Sequence, residues 1–92
     1  MDNNSSKNIL QVKVMTPDRF LYYGLALSIS SSNSEGLFSI LPQHANFITI
    51  IENQPIRIEK PDHQILLYQF SEAIILNNQN QISIYAELHS AK

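Results

Sequence analysis

The chain is 92 residues long and carries six Lys+Arg against eight Asp+Glu, for a formal net charge of −2. That length supports one domain, whose core is too thin for a wide ligand cavity. The cations Lys7, Lys13, Arg19, Arg57, Lys60 and Lys92 are scattered along the chain, not gathered on one face, which argues against nucleic-acid binding.

Residues 1–8 are small and polar and cannot offset their own ordering entropy by burial, so a loose arm is expected. They contain no apolar stretch of the signal-peptide kind. From Ile9 onward the pattern becomes short and alternating, which predicts one domain over residues 9–88 and a short tail at 89–92. Leu10, Val12 and Val14 share one face and Gln11 and Lys13 the other, a period of two that specifies a half-buried strand. Thr16-Pro17-Asp18 ends it with turn chemistry. Tyr22 and Tyr23 fall in the next strand. Leu27 and Ile29 then alternate with Ala26, Ser28 and Ser30.

Ser30 to Gly36 reads as a break, as do Pro42-Gln43-His44 and Glu52 to Pro55. Ile56 and Ile58 alternate with Arg57 and Glu59 up to the turn Lys60-Pro61-Asp62. Ile65 to Leu76 contains no Gly or Pro, and Leu66, Phe70, Ala73 and Ile74 could make a helical stripe. Its shortness and its Ile and Tyr content instead predict two strands with a turn near Ser71. After a break from Asn77 to Gln81, Ile82, Ile84 and Ala86 alternate with Ser83 and Tyr85 in a final strand. Seven or more short strands joined by such turns specify an all-β sandwich or barrel.

Residues able to carry chemistry are few. The absence of cysteine excludes a disulfide framework, a thiolate metal site and a cysteine nucleophile. His44, His63 and His89 have no metal-ligand spacing. His63 belongs to an exposed turn and His89 to the tail, whereas His44 is either a turn histidine bonded to nearby backbone or a contact residue. No pair of carboxylates is placed for acid–base work, and the two glycines, Gly24 and Gly36, form no phosphate-cradling loop. Apolar runs reach three or four residues, as in Ile65-Leu66-Leu67-Tyr68, so no helix spanning a bilayer is expected. No enzyme activity, cofactor, metal or small-molecule substrate is expected.

Read in order, Val14-Met15-Thr16-Pro17-Asp18-Arg19, Tyr23-Gly24 and Ser34-Glu35-Gly36-Leu37-Phe38-Ser39-Ile40-Leu41-Pro42-Gln43-His44-Ala45 lead on to Thr49, Ile51 and Ile56-Arg57-Ile58. This resembles the N-terminal β-sandwich domain of the epsilon subunit of F-type ATP synthase, over residues 9 to 87. The segment from Glu35 to Ala45 is the specific part. The resemblance implies a flattened β-sandwich of roughly ten short strands. It implies a non-catalytic rotor subunit that links the gamma subunit to the polar loops of the membrane c-ring and couples ATP synthesis or hydrolysis to ion translocation. Its place would be the cytoplasmic face of a bacterial membrane, as a peripheral part of the complex.

By position, the resemblance makes Ser34, Glu35, Gly36, Leu37 and Thr49 contacts to the c-ring, and Thr16 and His44 contacts to gamma. Glycine is usual in the family where Ser39, Gln43, Gln54, Glu72 and Ala73 stand, so these turns are expected to be rebuilt or strained. Most members continue as a two-helix C-terminal hairpin that acts as a brake. The chain stops where it would begin, which implies coupling without that inhibition. Apolar residues among Tyr22, Tyr23, Leu66 and Phe70 are expected to face outward towards a partner. The rival reading is a free-standing sandwich that recognises a protein or glycan through an aromatic groove near Tyr22, Tyr23 and Tyr68.

Overall fold

A computed structural model describes residues 8–87. The nine strands are β1 (Leu10–Met15), β2 (Phe20–Ala26), β3 (Ser28–Asn33), β4 (Gly36–Ile40), β5 (Phe47–Glu52), β6 (Pro55–Glu59), β7 (Ile65–Gln69), β8 (Glu72–Asn78) and β9 (Gln81–Glu87). One sheet has the order β2-β1-β9-β8-β5 and the other β4-β3-β6-β7. The expected sandwich is therefore present, with nine strands among the described residues. No helix of those residues is long and apolar enough to cross a membrane. The predicted arm and tail lie largely outside the described residues, as does His89.

Alternation builds the core as the sequence implies. Leu10, Val12 and Val14 from β1 meet Ile75 from β8 and Ile82 and Ile84 from β9, all fully buried. Ile29, Ile40, Ile56 and Ile58 face them from the second sheet. β-branched side chains suit this, because their restricted χ1 costs little on a pleated surface. Among the described residues the one parallel pair is β1 with β9, in which Val12 lies beside Ile82 and Val14 beside Ile84.

Several boundaries differ from the sequence reading. The helical alternative for Ile65 to Leu76 is absent, and Ser71 separates β7 from β8 as predicted. The break assigned to Ser30 to Gly36 is mostly strand, with only Ser34 and Glu35 in the turn. Serine is tolerated there because each hydroxyl has a partner: Ser30 and Ser39 Oγ lie 3.0 Å apart, Ser31 Oγ donates to Pro55 O at 2.8 Å, and Ser32 Oγ donates to Gln54 Oε1 at 3.0 Å. β8 likewise continues through Asn77 and Asn78, and Gln79 and Asn80 alone turn the chain.

The left-handed residues other than glycine are Gln43, Asn53, His63, Gln79 and Asn80, with φ of 70°, 56°, 69°, 54° and 67°. Gln79 and Asn80 form the two-residue hairpin between β8 and β9, whose twist requires positive φ at both positions. Of the five positions where glycine was expected, only Gln43 has this conformation. The others are rebuilt: Ser39 is in β4, Glu72 and Ala73 are in β8, and Gln54 precedes β6 while its neighbour Asn53 takes the left-handed conformation. Gln43→Gly is expected to raise stability by about 0.5–1 kcal/mol, because glycine meets no Cβ penalty at positive φ. Equilibrium urea unfolding checks this; a lower midpoint would show that the Gln43 side chain holds the turn.

Gly24 answers to a different constraint. A Cβ there would stand 2.9 Å from the hydroxyl oxygen of Tyr22, and that hydroxyl donates to Leu25 O at 2.7 Å. Burial, then the nearby Asp62 carboxylate, raises the Tyr22 phenol above its ordinary range. At the β6–β7 turn, His63 Nδ1 lies 2.8 Å from Glu59 Oε2, and this hydrogen bond holds the Glu59 carboxyl below its usual range. A lowered carboxyl contributes stability above its unfolded pKa and loses it as pH falls through its folded pKa. His63→Ala is expected to move the Glu59 titration midpoint upward, measured by carboxyl carbon NMR; an unmoved midpoint would refute the assignment.

Candidate functional site

The two ends of the sandwich carry different groups. At one end, the β3–β4 hairpin turns through Ser34 and Glu35, and Asn33 pairs with Gly36. Gly36 has φ of 119°, a conformation that side chains resist. Asn33, which sequence reading passed over, holds this hairpin. Its Oδ1 accepts from Glu35 N at 2.9 Å, and its Nδ2 donates to Thr49 Oγ1 at 2.9 Å. The Asn-x-Glu turn at Asn33 was a usable signal, since asparagine favours such Asx turns. Thr49 is half-buried with its hydroxyl engaged, so its place is behind the hairpin as a brace.

Leu37 follows on the outer side of β4 and is 91% exposed. No other large apolar side chain among the described residues is so exposed. A cleft of about 420 Å³ separates the hairpin from the β5–β6 turn, lined by Ser34, Ile50, Glu52 and Gln54 among others. Asn33→Ala removes both bonds of the brace. It is expected to cost about 1–2 kcal/mol and to speed hydrogen exchange at Glu35 N, while core amides keep their protection.

Thr16 belongs to this same end. It follows β1, which runs parallel to β9 and so ends beside Tyr85, near the start of β8. Its amide donates to Arg19 O at 2.9 Å and its hydroxyl accepts from Asp18 N at 3.3 Å, so it closes its own turn. His44 lies at the opposite end. Its ring Nδ1 is 2.7 Å from Ala45 O, the local backbone bond of a turn histidine, and the ring sits 5.1 Å from that of Phe47. The structure thus brings Ser34 to Leu37 and Thr49 together and sets Thr16 and His44 apart.

The His44 loop is fastened by side-chain amides. Asn77, fully buried on β8, donates through Nδ2 to Ala45 O at 3.0 Å and to His44 O at 3.3 Å. Asn80 Oδ1 accepts from Gln43 N at 2.6 Å, and Asn46 Oδ1 accepts from Gln79 N at 2.8 Å. Beside it is an open groove of about 760 Å³ lined by Gln11, Leu25, Gln43, His44, Asn46 and Asn80 among others. No group of three or more metal-ligating side chains occurs among the described residues.

Of the four residues among which outward apolar side chains were expected, one is outward. Only Tyr23 is well exposed; Phe70 is buried, and Tyr22 and Leu66 pack against the core. Register explains this. Leu66 pairs with Ile58, an inward position, and Val14 pairs with Tyr22. Phe70 stacks on Tyr68 with ring centroids 5.7 Å apart. The Tyr22 and Tyr68 hydroxyls both face backbone carbonyls, of Leu25 and Leu21, so these rings are packing elements of the fold. The outward apolar surface lies instead on the five-stranded sheet, where Ile48 and Ile50 of β5 join Ile74 and Leu76 of β8 and Tyr85 of β9. Across one border of it, Glu52, Glu72 and Glu87 lie in successive cross-strand register.

Comparison with known proteins agrees with this architecture. Residues 9–90 match the family model of the ATP synthase delta/epsilon chain β-sandwich domain. The ATP synthase epsilon chain of Sulfurimonas denitrificans is 34% identical over 68 residues, which cover 74% of this chain and 48% of that one. That of Leptospira interrogans is 30% identical over 82 residues, covering 89% and 64%. The chain thus spans about half to two thirds of the length of these relatives. Among solved structures, the fold matches a chain of the Euglena gracilis mitochondrial ATP synthase OSCP/F1/c-ring assembly with TM-score 0.79 and 15% identity, covering 87% of this chain and 51% of that one. It also matches one of the Tetrahymena thermophila mitochondrial ATP synthase central stalk/c-ring with TM-score 0.70 and 13% identity, covering 85% and 63%. With the family model matched over nearly the whole sequence, the chain belongs to the ATP synthase delta/epsilon-chain β-sandwich domain family.

Proposed function

We propose that the chain serves as a non-catalytic central-stalk subunit of an F-type rotary ATPase, joining the gamma subunit to the c-ring. It turns with both and helps couple ATP synthesis or hydrolysis to ion translocation. In this reading it is peripheral to the cytoplasmic face of a bacterial membrane. Torque has to pass without slip, and a sandwich whose two sheets interdigitate is stiff enough to carry it.

The observation that carries the proposal is the braced hairpin. Leu37 is 91% exposed next to a turn tied by Asn33 to Thr49 in the other sheet. An exposed leucine on a fixed backbone forfeits little ordering entropy when a partner covers it. Leu37 with Ser34, Glu35 and Gly36 forms the c-ring contact, and Thr49 holds them in place. Thr16 and His44, at opposite ends, meet gamma only if that interface runs along the domain.

The first test is co-elution of the purified chain with the folded gamma subunit of its own organism. A standard-sized interface gives a stable complex in gel filtration; separate elution rejects the reading. For the ring contact, Leu37→Glu in the reassembled complex is expected to weaken association with c-ring membranes by about 5–30-fold, as for loss of an apolar anchor. Binding to gamma should persist.

A further inference from the structure

We propose that two copies of this chain pair edge to edge through β5, antiparallel and centred on Thr49, to make one continuous ten-stranded sheet. The proposal stands on the edge itself and not on the rotor reading.

β5 ends the five-stranded sheet, and no strand among the described residues lies on its far side. An unpaired edge is a template for another chain, and proteins usually blunt it with Lys, Pro, a bulge or a short strand. β2, the opposite edge, has such a device, a register shift at Val14/Met15 where it meets β1. β5 has none. Its sequence, Phe-Ile-Thr-Ile-Ile-Glu, carries no Pro, Gly or Lys and is strongly β-forming. The other sheet also ends in an apolar strand, β7, but there Leu67 pairs with Arg57 and Ile65 with Glu59, so charge interrupts the face. Beside β5 the face is apolar along the strand, where Ile48 pairs with Leu76 and Ile50 with Ile74, and charge enters only at its last position, Glu52 beside Glu72.

The occupant follows from the pattern of the strand. Side chains directly opposite in an antiparallel pair point to the same face. Inward Phe47, Thr49 and Ile51 must therefore meet inward residues, and outward Ile48 and Ile50 must meet outward ones. A second β5 centred on Thr49 satisfies this throughout. Ile48 faces the second copy's Ile50, Phe47 faces its Ile51, and Thr49 faces itself. Glu52 then lies opposite Asn46, so the two Glu52–Glu72–Glu87 rows sit at opposite corners of the joined sheet. Moving the centre to Ile50 would set Glu52 against Ile48, a charge on an apolar neighbour. The Thr49-centred pair has the self-complementary, two-fold character of a closed dimer. Ile48 and Ile50, 64% and 55% exposed, each gain an apolar cross-strand neighbour at the join. The pair also closes over the cleft shared by Ser34 and Ile50, so it competes with docking at the β3–β4 hairpin.

The test is sedimentation equilibrium of the chain over a dilution series. The mass is expected to approach twice that of one chain on concentration. Ile50→Lys should raise the dissociation constant at least about tenfold, with an unchanged circular dichroism spectrum, while Leu67→Lys on β7 should leave it unaltered. The register is read by cross-linking, since the chain has no cysteine. A mixture of Ile48→Cys and Ile50→Cys chains should form disulfide dimers, whereas either alone should not, because like residues then lie more than about 7 Å apart. A chain monomeric at every soluble concentration overturns the proposal. So does an Ile50→Lys dimer of undiminished strength, or cross-linking of each variant with itself as fast as in the mixture.

Discussion

Asn77→Asp is expected to be the most damaging single replacement, although it exchanges only an NH2 for an oxygen. The Asn77 amide is fully buried, and its Nδ2 faces the carbonyls of Ala45 and His44. Two carbonyls demand a donor, which fixes the amide orientation and leaves Asn77 Oδ1 buried with no partner. The fold tolerates that orphan acceptor because the two donated bonds hold the His44 loop. A carboxylate would aim a third acceptor, charged and desolvated, at the same carbonyls. Losing the bonds and burying the charge are expected to cost about 3–5 kcal/mol at neutral pH.

The sign of the pH dependence follows. Burial would raise the folded pKa of the new carboxyl above its unfolded value of about 3.9. Below that value both states are protonated, and the acid can still donate one bond. As pH rises towards the folded pKa the unfolded state ionises first, so the variant loses stability relative to the parent. Denaturant titrations at pH 3.5 and pH 7 check this. A difference from the parent that is equal at both would show that no buried charge is involved. Asn77→Ala should cost less, since it buries no charge.

Ile84→Ala is expected to have the next largest effect. Ile84 is fully buried at the centre of the five-stranded sheet, paired with Val14 on one side and Ile75 on the other. Its neighbours are held in two ladders and cannot collapse into the space, so removal of the side chain should leave most of a cavity. Such truncations cost about 2–5 kcal/mol. In a domain of this size that lowers the melting temperature by about 8–40 °C. Ile84→Val should cost only about 1 kcal/mol. Differential scanning calorimetry of the three proteins decides it; a loss of under about 1 kcal/mol for alanine would mean that the sheets repack around the missing side chain.

Much of the fold was legible because alternation determines which residues are buried once one face is apolar. Leu10, Val12 and Val14 announced β1, and Ile82, Ile84 and Ala86 announced β9. The same parity would have placed Asn77 inside, two steps on from Ala73 and Ile75; the run of amides around it read as a turn because asparagine is common in turns. The serines of β3 were misread for a similar reason, since their strand form depends on partners from β4 and β6 that local sequence does not specify. The outward apolar face was missed altogether. Tyr22, Leu66 and Phe70 looked surplus to a single core, but register turns the first two inward and Phe70 folds in after β7 ends. Of the residues that the resemblance names for contact, Ser34 and Glu35 form the β3–β4 turn, and Gly36 and Leu37 begin β4. The sequence pattern could not reveal that Asn33 braces that turn, or that Thr16 and His44 sit at opposite ends.

The parallel union of β1 with β9 bears on how the protein is made. β1 emerges from the ribosome early and at once finds β2, a hairpin neighbour. Its other flank waits for β9, some seventy residues later in translation. Until Gln81 to Glu87 has cleared the exit tunnel, β8 and β1 face each other across a missing slat, and the nascent chain displays two open ribbons. Joining such distant segments is slow and leaves apolar strands uncovered meanwhile. Closing this sheet is therefore the non-local step of folding, and β1 and β8 stay open to wrong partners until β9 is in place.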